Sequence, residues 1–198
     1  MRAIAAVAAV VFATAPTAFA EELRDFPYAA MSLGWHGPDD ESTGNTNAIV
    51  RREDGFAAHA ALGHTYRQFR AEAEAGWNRG AAGLTGRTDT ASLTANIYYD
   101  IDTGTPLTPY IGGGAGLARV AFANVAVPGL GTIDDDVWGL AWQLGIGVSY
   151  GLSDKVDLYA GYRWFDVANV KMDTNNGSRV KLDDFGSHNV ELGIRFRF

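Results

Sequence analysis

Six charged side chains fall at alternate positions opposite an apolar stripe, and that is where this chain's chemistry is concentrated. Arg70, Glu72 and Glu74 follow one another in "FRAEAEAGWN"; Arg163 lies in "VDLYAGYRWFD", and Glu191 and Arg195 in "VELGIRFRF". Arg119, in "TPYIGGGAGLARVAF", joins them if its strand faces the same way. Carboxylates and guanidiniums gathered in one confined interior must pair, because a buried charge left alone is costly. Two roles follow: a structural plug of ion pairs, or a gate in which Arg and Glu exchange partners and open a narrow ion path.

Other chemistry is poorly supported. The four histidines are His36, His59, His64 and His188. Ser187 precedes His188 and Ser32 shares the minority face of its strand, but no nucleophile–base spacing is legible, so no catalytic residue is expected. His36 and His188 become neighbours if the first and last strands pair, yet two imidazoles without further ligands make no metal centre. "GGGAG" at 112–116 lacks the Lys-Ser/Thr of a phosphate loop and sits within a strand pattern, where glycine permits close packing beneath a large neighbour. Asp39, Asp40 and Glu41, and the run Asp134, Asp135, Asp136, could attract divalent cations that bridge lipopolysaccharide; a solvated loop face is the simpler reading. No cofactor is expected.

The elements that must position these groups are strands. Period two dominates from Glu21 onward. In "VWGLAWQLGIGVSY", Trp138, Leu140, Trp142, Leu144, Ile146, Val148 and Tyr150 share one face, and Gly139, Ala141, Gln143, Gly145, Gly147 and Ser149 the other. The same alternation runs through "YAAMSLGW", "FAAHAALGHTY", "FRAEAEAGWN", "TASLTANIYYD", "TPYIGGGAGLARVAF", "VDLYAGYRWFD" and the C-terminal "VELGIRFRF". That makes eight strands of about ten residues, the length a tilted strand needs to cross hydrocarbon. Short turns (67–68, 102–105, 151–155) alternate with longer connections (36–54, 79–89, 124–136, 168–187), the layout of a membrane barrel.

Composition narrows the class. The chain has 198 residues, no cysteine, a sequence pI near 5.0 and a formal charge of −7, which speaks against a nucleic-acid partner. Residues 1–20, "MRAIAAVAAVVFATAPTAFA", carry one basic residue, an apolar stretch and a small-x-small end, the pattern of a secretory signal peptide cleaved after Ala20. Residues 21–198 then form a single barrel domain.

Alternation alone does not say which face points outward. A soluble ligand-binding barrel of the lipocalin type would turn its apolar face inward; a membrane barrel turns it to lipid. Mid-strand charges and small residues share the minority face, as suits the narrow interior of an eight-stranded barrel. Aromatics gather at the strand ends of the apolar face: Trp35, Phe56, Trp77, Trp138 and Trp164 toward the long connections, and Tyr66, Phe69, Tyr99 and Tyr150 toward the short turns. Two such girdles match two membrane interfaces. The expected fold is therefore all-β, an eight-stranded antiparallel up-and-down transmembrane barrel.

The stretches "FRAEAEAGW", "LTPYIGGGAGLARV", "LGIGVSYGLSDKVDLYAGYRWFD" and "VELGIRFRF" give the chain a pattern that resembles the small OmpA-like and opacity-type barrels, a family of bacterial surface antigens. The resemblance implies a Gram-negative outer membrane, periplasmic termini and extracellular long loops. It also makes Val190, Leu192, Ile194, Phe196 and Phe198 the signal presented to the barrel-assembly machinery. It departs from OmpA in ending at the barrel, which puts a cell-wall tether in doubt. The partners it implies are outer-membrane lipid and lipopolysaccharide, and a host or cell-surface ligand at the loops, for a monomer without enzymatic activity. A structural or surface-recognition protein is the leading reading, and a narrow gated channel the runner-up.

Overall fold

The computed structural model describes residues 25–38, 52–82, 86–127, 131–168, 170–173, 179–182 and 185–198. The signal-peptide reading of residues 1–20 and the acidic cluster 39–41 lie outside these. The barrel strands are β1 (Asp25–Pro38), β2 (Arg52–Tyr66), β3 (Phe69–Ala82), β4 (Gly86–Asp100), β5 (Leu107–Val127), β6 (Gly131–Ser153), β7 (Val156–Ala168) and β10 (Gly186–Arg197). Each pairs antiparallel with its neighbours, and β1 closes on β10 from Tyr28↔Arg197 to Pro38↔Ser187. Closure leaves no open barrel edge. Two short strands, β8 (Val170–Asp173) and β9 (Arg179–Leu182), form a separate hairpin inside the connection between β7 and β10, where the sequence pattern led us to expect a loop.

Register fixes the barrel's slant. A row of paired residues runs from Trp35 through Val190, Tyr162, Ile146, Ile111, Tyr99, Phe69 and Tyr66, and returns to β1 at Asp25, ten residues below its start. With strands rising ~3.3 Å per residue and spaced ~4.8 Å apart, that stagger tilts them by about 40°, so each residue climbs roughly 2.5 Å along the axis. At this slant Trp35, Phe56, Trp77, Trp142, Trp164 and His188 stand at one height. Tyr66, Phe69, Tyr99, Tyr150 and Phe196 stand lower, around eight residues away along each strand. The apolar band between them is therefore about 20–25 Å tall, the height such barrels present to lipid.

Between the two belts the barrel's outer face is apolar. Leu33 is 60% exposed, Ile97 64% and Leu192 70%, far more apolar area than a water-facing wall carries.

Strand length departs from the expected ten residues: β5 has 21 and β6 has 23. Their hydrogen-bond ladder continues to Val127↔Gly131, with a register shift between Phe122 and Val125 where Asn124 adopts a φ of 55°. The connection read as a loop from 124 to 136 is mostly hairpin, projecting up to roughly 25 Å past the upper belt at the same rise per residue.

Candidate functional site: a plugged lumen beneath an apolar cap

Inside the band the barrel is filled by polar side chains. Glu74 on β3 and Arg163 on β7 are four strands apart around the ring, so their ion pair crosses the barrel's diameter. Arg163 also donates through Nη2 to Glu191 at 3.0 Å and through Nη1 to Gln143 at 3.2 Å. Gln143 Nε2 in turn donates to Glu74 at 3.0 Å and to Asn96 at 2.7 Å. Ser32 donates to Glu191 at 2.9 Å, and His59 Nδ1 lies 3.2 Å from the same carboxylate.

A second tier lies toward the turn end. Arg70 binds both oxygens of Asp100 through Nε at 2.9 Å and Glu72 through Nη1 at 2.8 Å. Tyr28 donates to Glu72 at 2.7 Å, and the Tyr98 and Tyr110 rings flank the Arg70 guanidinium at 4.8 and 5.0 Å. Glycine makes room for this filling: a Cβ on Gly112 would stand 2.4 Å from Tyr98 Cδ1, and one on Gly114 would stand 1.9 Å from Asn96 Oδ1. Lowest is Asp157, held by Arg197 through Nε at 2.9 Å and through Nη2, with Arg195 at 3.6 Å.

Above the upper belt the two faces exchange character in part: Trp138 and Leu140 still face outward and Asn78, Thr88 and Thr90 inward, but an apolar cluster forms inside and charged pairs stand outside. Ala82, Ala118, Val120, Phe122, Val125, Ala141, Phe165, Val167 and Phe185 point inward and bury one another, with Phe122 edge-on to Phe185 at 5.8 Å. Outward at this level stand Arg79, paired with Asp89 at 2.5 Å, and Arg119, paired with Asp136 at 2.8 Å. The polar lumen is thus capped by an apolar core that the projecting hairpins supply.

This exchange corrects one expected lumen charge. Arg119 is half exposed on the outer wall, because on β5 the inward positions are Ala118, Val120 and Phe122. Arg70, Glu72, Glu74, Arg163, Glu191 and Arg195 all point inward. The upper belt also shifts by one turn of the pattern. Trp142, edge-on to Trp164 at 4.3 Å, stands at belt height, whereas Trp138 lies four residues higher, about 10 Å above it at the rise given. Tyr66, Phe69, Tyr99 and Tyr150 face outward at the turn end with Phe196 of the last strand and Phe198 beyond it, and Val190 and Leu192 face outward higher on that strand. Missed from the sequence were Asp100, Asp157 and Arg197, whose partners sit on the neighbouring strand, and Gln143, whose partners sit across the lumen. Among the described residues no group of three His, Cys, Asp or Glu is placed to hold a metal ion.

A closed eight-stranded antiparallel barrel with an apolar outer band and a charge-filled lumen defines a transmembrane barrel of the outer-membrane kind. The chain belongs to the outer membrane protein beta-barrel domain family, whose model matches residues 5–198. It is 35% identical over 113 residues to the outer membrane protein PagN of Salmonella typhimurium, covering 52% of this chain and 47% of that one. An uncharacterised protein of Brucella abortus is 30% identical over 129 residues, 52% of this chain and 45% of its own. The chain thus spans about half the length of the curated relatives it matches. The fold is also that of the Neisserial surface protein NspA (TM-score 0.62, 22% identity, covering 87% of this chain and 97% of that one). The outer membrane protein OprG of Pseudomonas aeruginosa shares it too (TM-score 0.58, 14% identity, covering 90% and 99%).

Proposed function

We propose that this outer-membrane barrel is a sealed scaffold that carries a recognition platform on the cell surface. The observation that carries this reading is the stacking of two closures in one lumen: ion pairs across the full diameter and, above them, an apolar core. Neither offers a path for ions, since opening the first means separating buried charges and opening the second means wetting a packed core. The structural investment lies in the projecting hairpins instead.

In this reading the short turns and both termini face the periplasm, and the long-connection end faces outward. The chain works as a monomer among outer-membrane lipid and lipopolysaccharide. Its final strand, Val190 to Phe198, is what the barrel-assembly machinery recognises. A host or cell-surface ligand would meet the β5–β6 and β8–β9 hairpins first. A narrow gated channel is the second reading, favoured by an interior that is polar through the whole lipid-facing band. Planar-bilayer recordings of the mature protein separate the two. A sealed scaffold gives no unitary conductance in wild type or in Glu74→Gln; openings whose frequency changes with Glu74→Gln would establish the gate. Shortening the β5–β6 hairpin should abolish cell-surface binding while the heat-modifiable folded band persists; unchanged binding would dismiss the platform.

A further inference from the structure

On the outer wall, the sector formed by β3, β4 and β5 carries exposed arginines where the lipid band ends. Arg79 on β3 stands about 5 Å above Trp77 of the upper belt, and Arg119 on β5 stands within about 2 Å of that height. Both side chains are half exposed, and the Arg79 guanidinium lies over the Trp77 ring at 4.8 Å. Their acidic partners stand farther from the membrane. Asp89 meets Arg79 Nε at 2.5 Å and Arg87 Nε at 3.3 Å, and Asp136 meets Arg119 Nε at 2.8 Å. The charges are therefore layered, with guanidiniums next to the lipid and carboxylates above them. Each contact is made at Nε, so the Nη donors remain for a further acceptor. Ion pairs this exposed contribute little to stability, and the fold does not call for them.

Below these arginines the apolar band is thin. Ala73, Ala95 and Ala115 pair across β3, β4 and β5, and Ala60 pairs with Ala75 in the next row. All five face outward within about 10 Å of the belt. At that depth the opposite wall presents Leu33, Tyr162 and Leu192. The result is a shallow, alanine-floored depression in the half of the band nearest the arginines. On its β6 flank, apolar surface continues above the belt: Trp138, paired with Arg119, is 66% exposed, and Leu140 is 68% exposed. Apolar surface left outside hydrocarbon beside a charged rim marks a binding surface.

We propose that this wall binds one molecule of the lipid A moiety of lipopolysaccharide, a phosphorylated and multiply acylated disaccharide. Its acyl chains lie over the alanine floor, its phosphates meet Arg79 and Arg119, and Trp138 and Leu140 flank its sugars. Charge complementarity selects this occupant. The guanidinium fork suits a phosphate, and the bond between them is charge-assisted. Lipid A carries a phosphate on each sugar, which matches two arginines set on alternate strands, roughly 10 Å apart. A glycerophospholipid, with a single phosphate and two chains, would engage half of the site. The proposal deepens the reading above by giving lipopolysaccharide a place on the barrel, and it rests on the long-connection end facing outward, where the lipopolysaccharide leaflet lies.

The test is native mass spectrometry of the folded protein, released from detergent micelles after incubation with lipid A, with lipid A lacking both phosphates, or with phosphatidylglycerol. The variants are the double substitution Arg79→Gln with Arg119→Gln, and Ala95→Leu, each first checked for the heat-modifiable folded band. The double substitution removes two cations without touching the lumen; Ala95→Leu fills the floor and keeps the charges. Wild type should retain one lipid A saturably, and far less of the other two lipids. Apparent affinity should fall about a hundredfold in the double variant, in line with the loss of two charged hydrogen bonds, and several-fold in Ala95→Leu. No saturable adduct in wild type, or unchanged affinity in the folded double variant, would overturn the proposal. So would equal retention of phosphatidylglycerol, which would make the wall a generic lipid contact. Protease cleavage of the β5–β6 hairpin in intact cells reports orientation separately: cleavage only after the cells are opened would sink the orientation, while the adduct still reports the site.

Discussion

Below and above the upper aromatic belt, the same strands follow the same alternation and obey opposite solvents. Below it, Leu144, Ile146, Leu192 and Ile97 face out while Glu74, Arg163 and Glu191 face in. Above it, Arg119 and Asp136 face out while Val120, Phe122 and Val167 face in. The lower storey is inside-out because its surroundings are hydrocarbon; the upper storey takes on part of a soluble domain's pattern, an apolar cluster inside and ion pairs outside, with Trp138 and Leu140 still facing out. A strand's facing therefore has no single rule along its length: the belt marks where the rule reverses.

The comparison is broken most forcefully at the centre of the lower storey. Arg163→Ala leaves Glu74 and Glu191 buried without their partner and should cost about 3–5 kcal/mol, read as a lowered denaturant midpoint of the folded band. Phe122→Ala hollows the upper storey and should cost about 3 kcal/mol, but locally. Limited proteolysis should then cut the β5–β6 hairpin while the barrel below stays protected; simultaneous loss of the barrel would mean that the storeys are one unit. Charge insertion sharpens the contrast at matched, outward positions. Ile97→Arg, at mid-height of the lipid band, should cost about 2–4 kcal/mol in lipid vesicles. Ala121→Arg, above the belt, should fall within about 0.5 kcal/mol of wild type, as surface substitutions do. Smallest of all, Arg119→Gln removes a solvent-exposed ion pair and should leave the denaturant midpoint unchanged.

The strand period, the strand number and the inward facing of Arg70, Glu72, Glu74, Arg163, Glu191 and Arg195 were legible in the sequence, because side chains alternate strictly across a pleat. Arg119 was misplaced because its charge was read by the lower storey's rule, charged side chains inward, although its parity is that of the outward Ile111 and Leu117. Trp138 and Trp142 have equal parity and lie four residues apart on one strand, and only the ten-residue stagger of the closed barrel shows which of them stands at belt height. Asp100 and Asp157 gave no signal, since each meets its arginine from another strand. Alternation places each on the inner face, but it does not say which side chain of the neighbouring strand it meets. The β8–β9 hairpin was hidden among turn-forming residues, "DTNNGS", that interrupt its two short strands.

The height of the belt carries the whole account, and two tryptophans of equal parity report it directly. Single-tryptophan proteins retaining only Trp142 or only Trp138, the others replaced by phenylalanine, would be reconstituted into vesicles of brominated lipid and probed by steady-state fluorescence. Trp142 should be quenched strongly by the brominated chains and weakly by aqueous iodide, and Trp138 should show the reverse. Equal quenching of both by brominated lipid would place the upper storey in hydrocarbon and contradict the reversal at the belt.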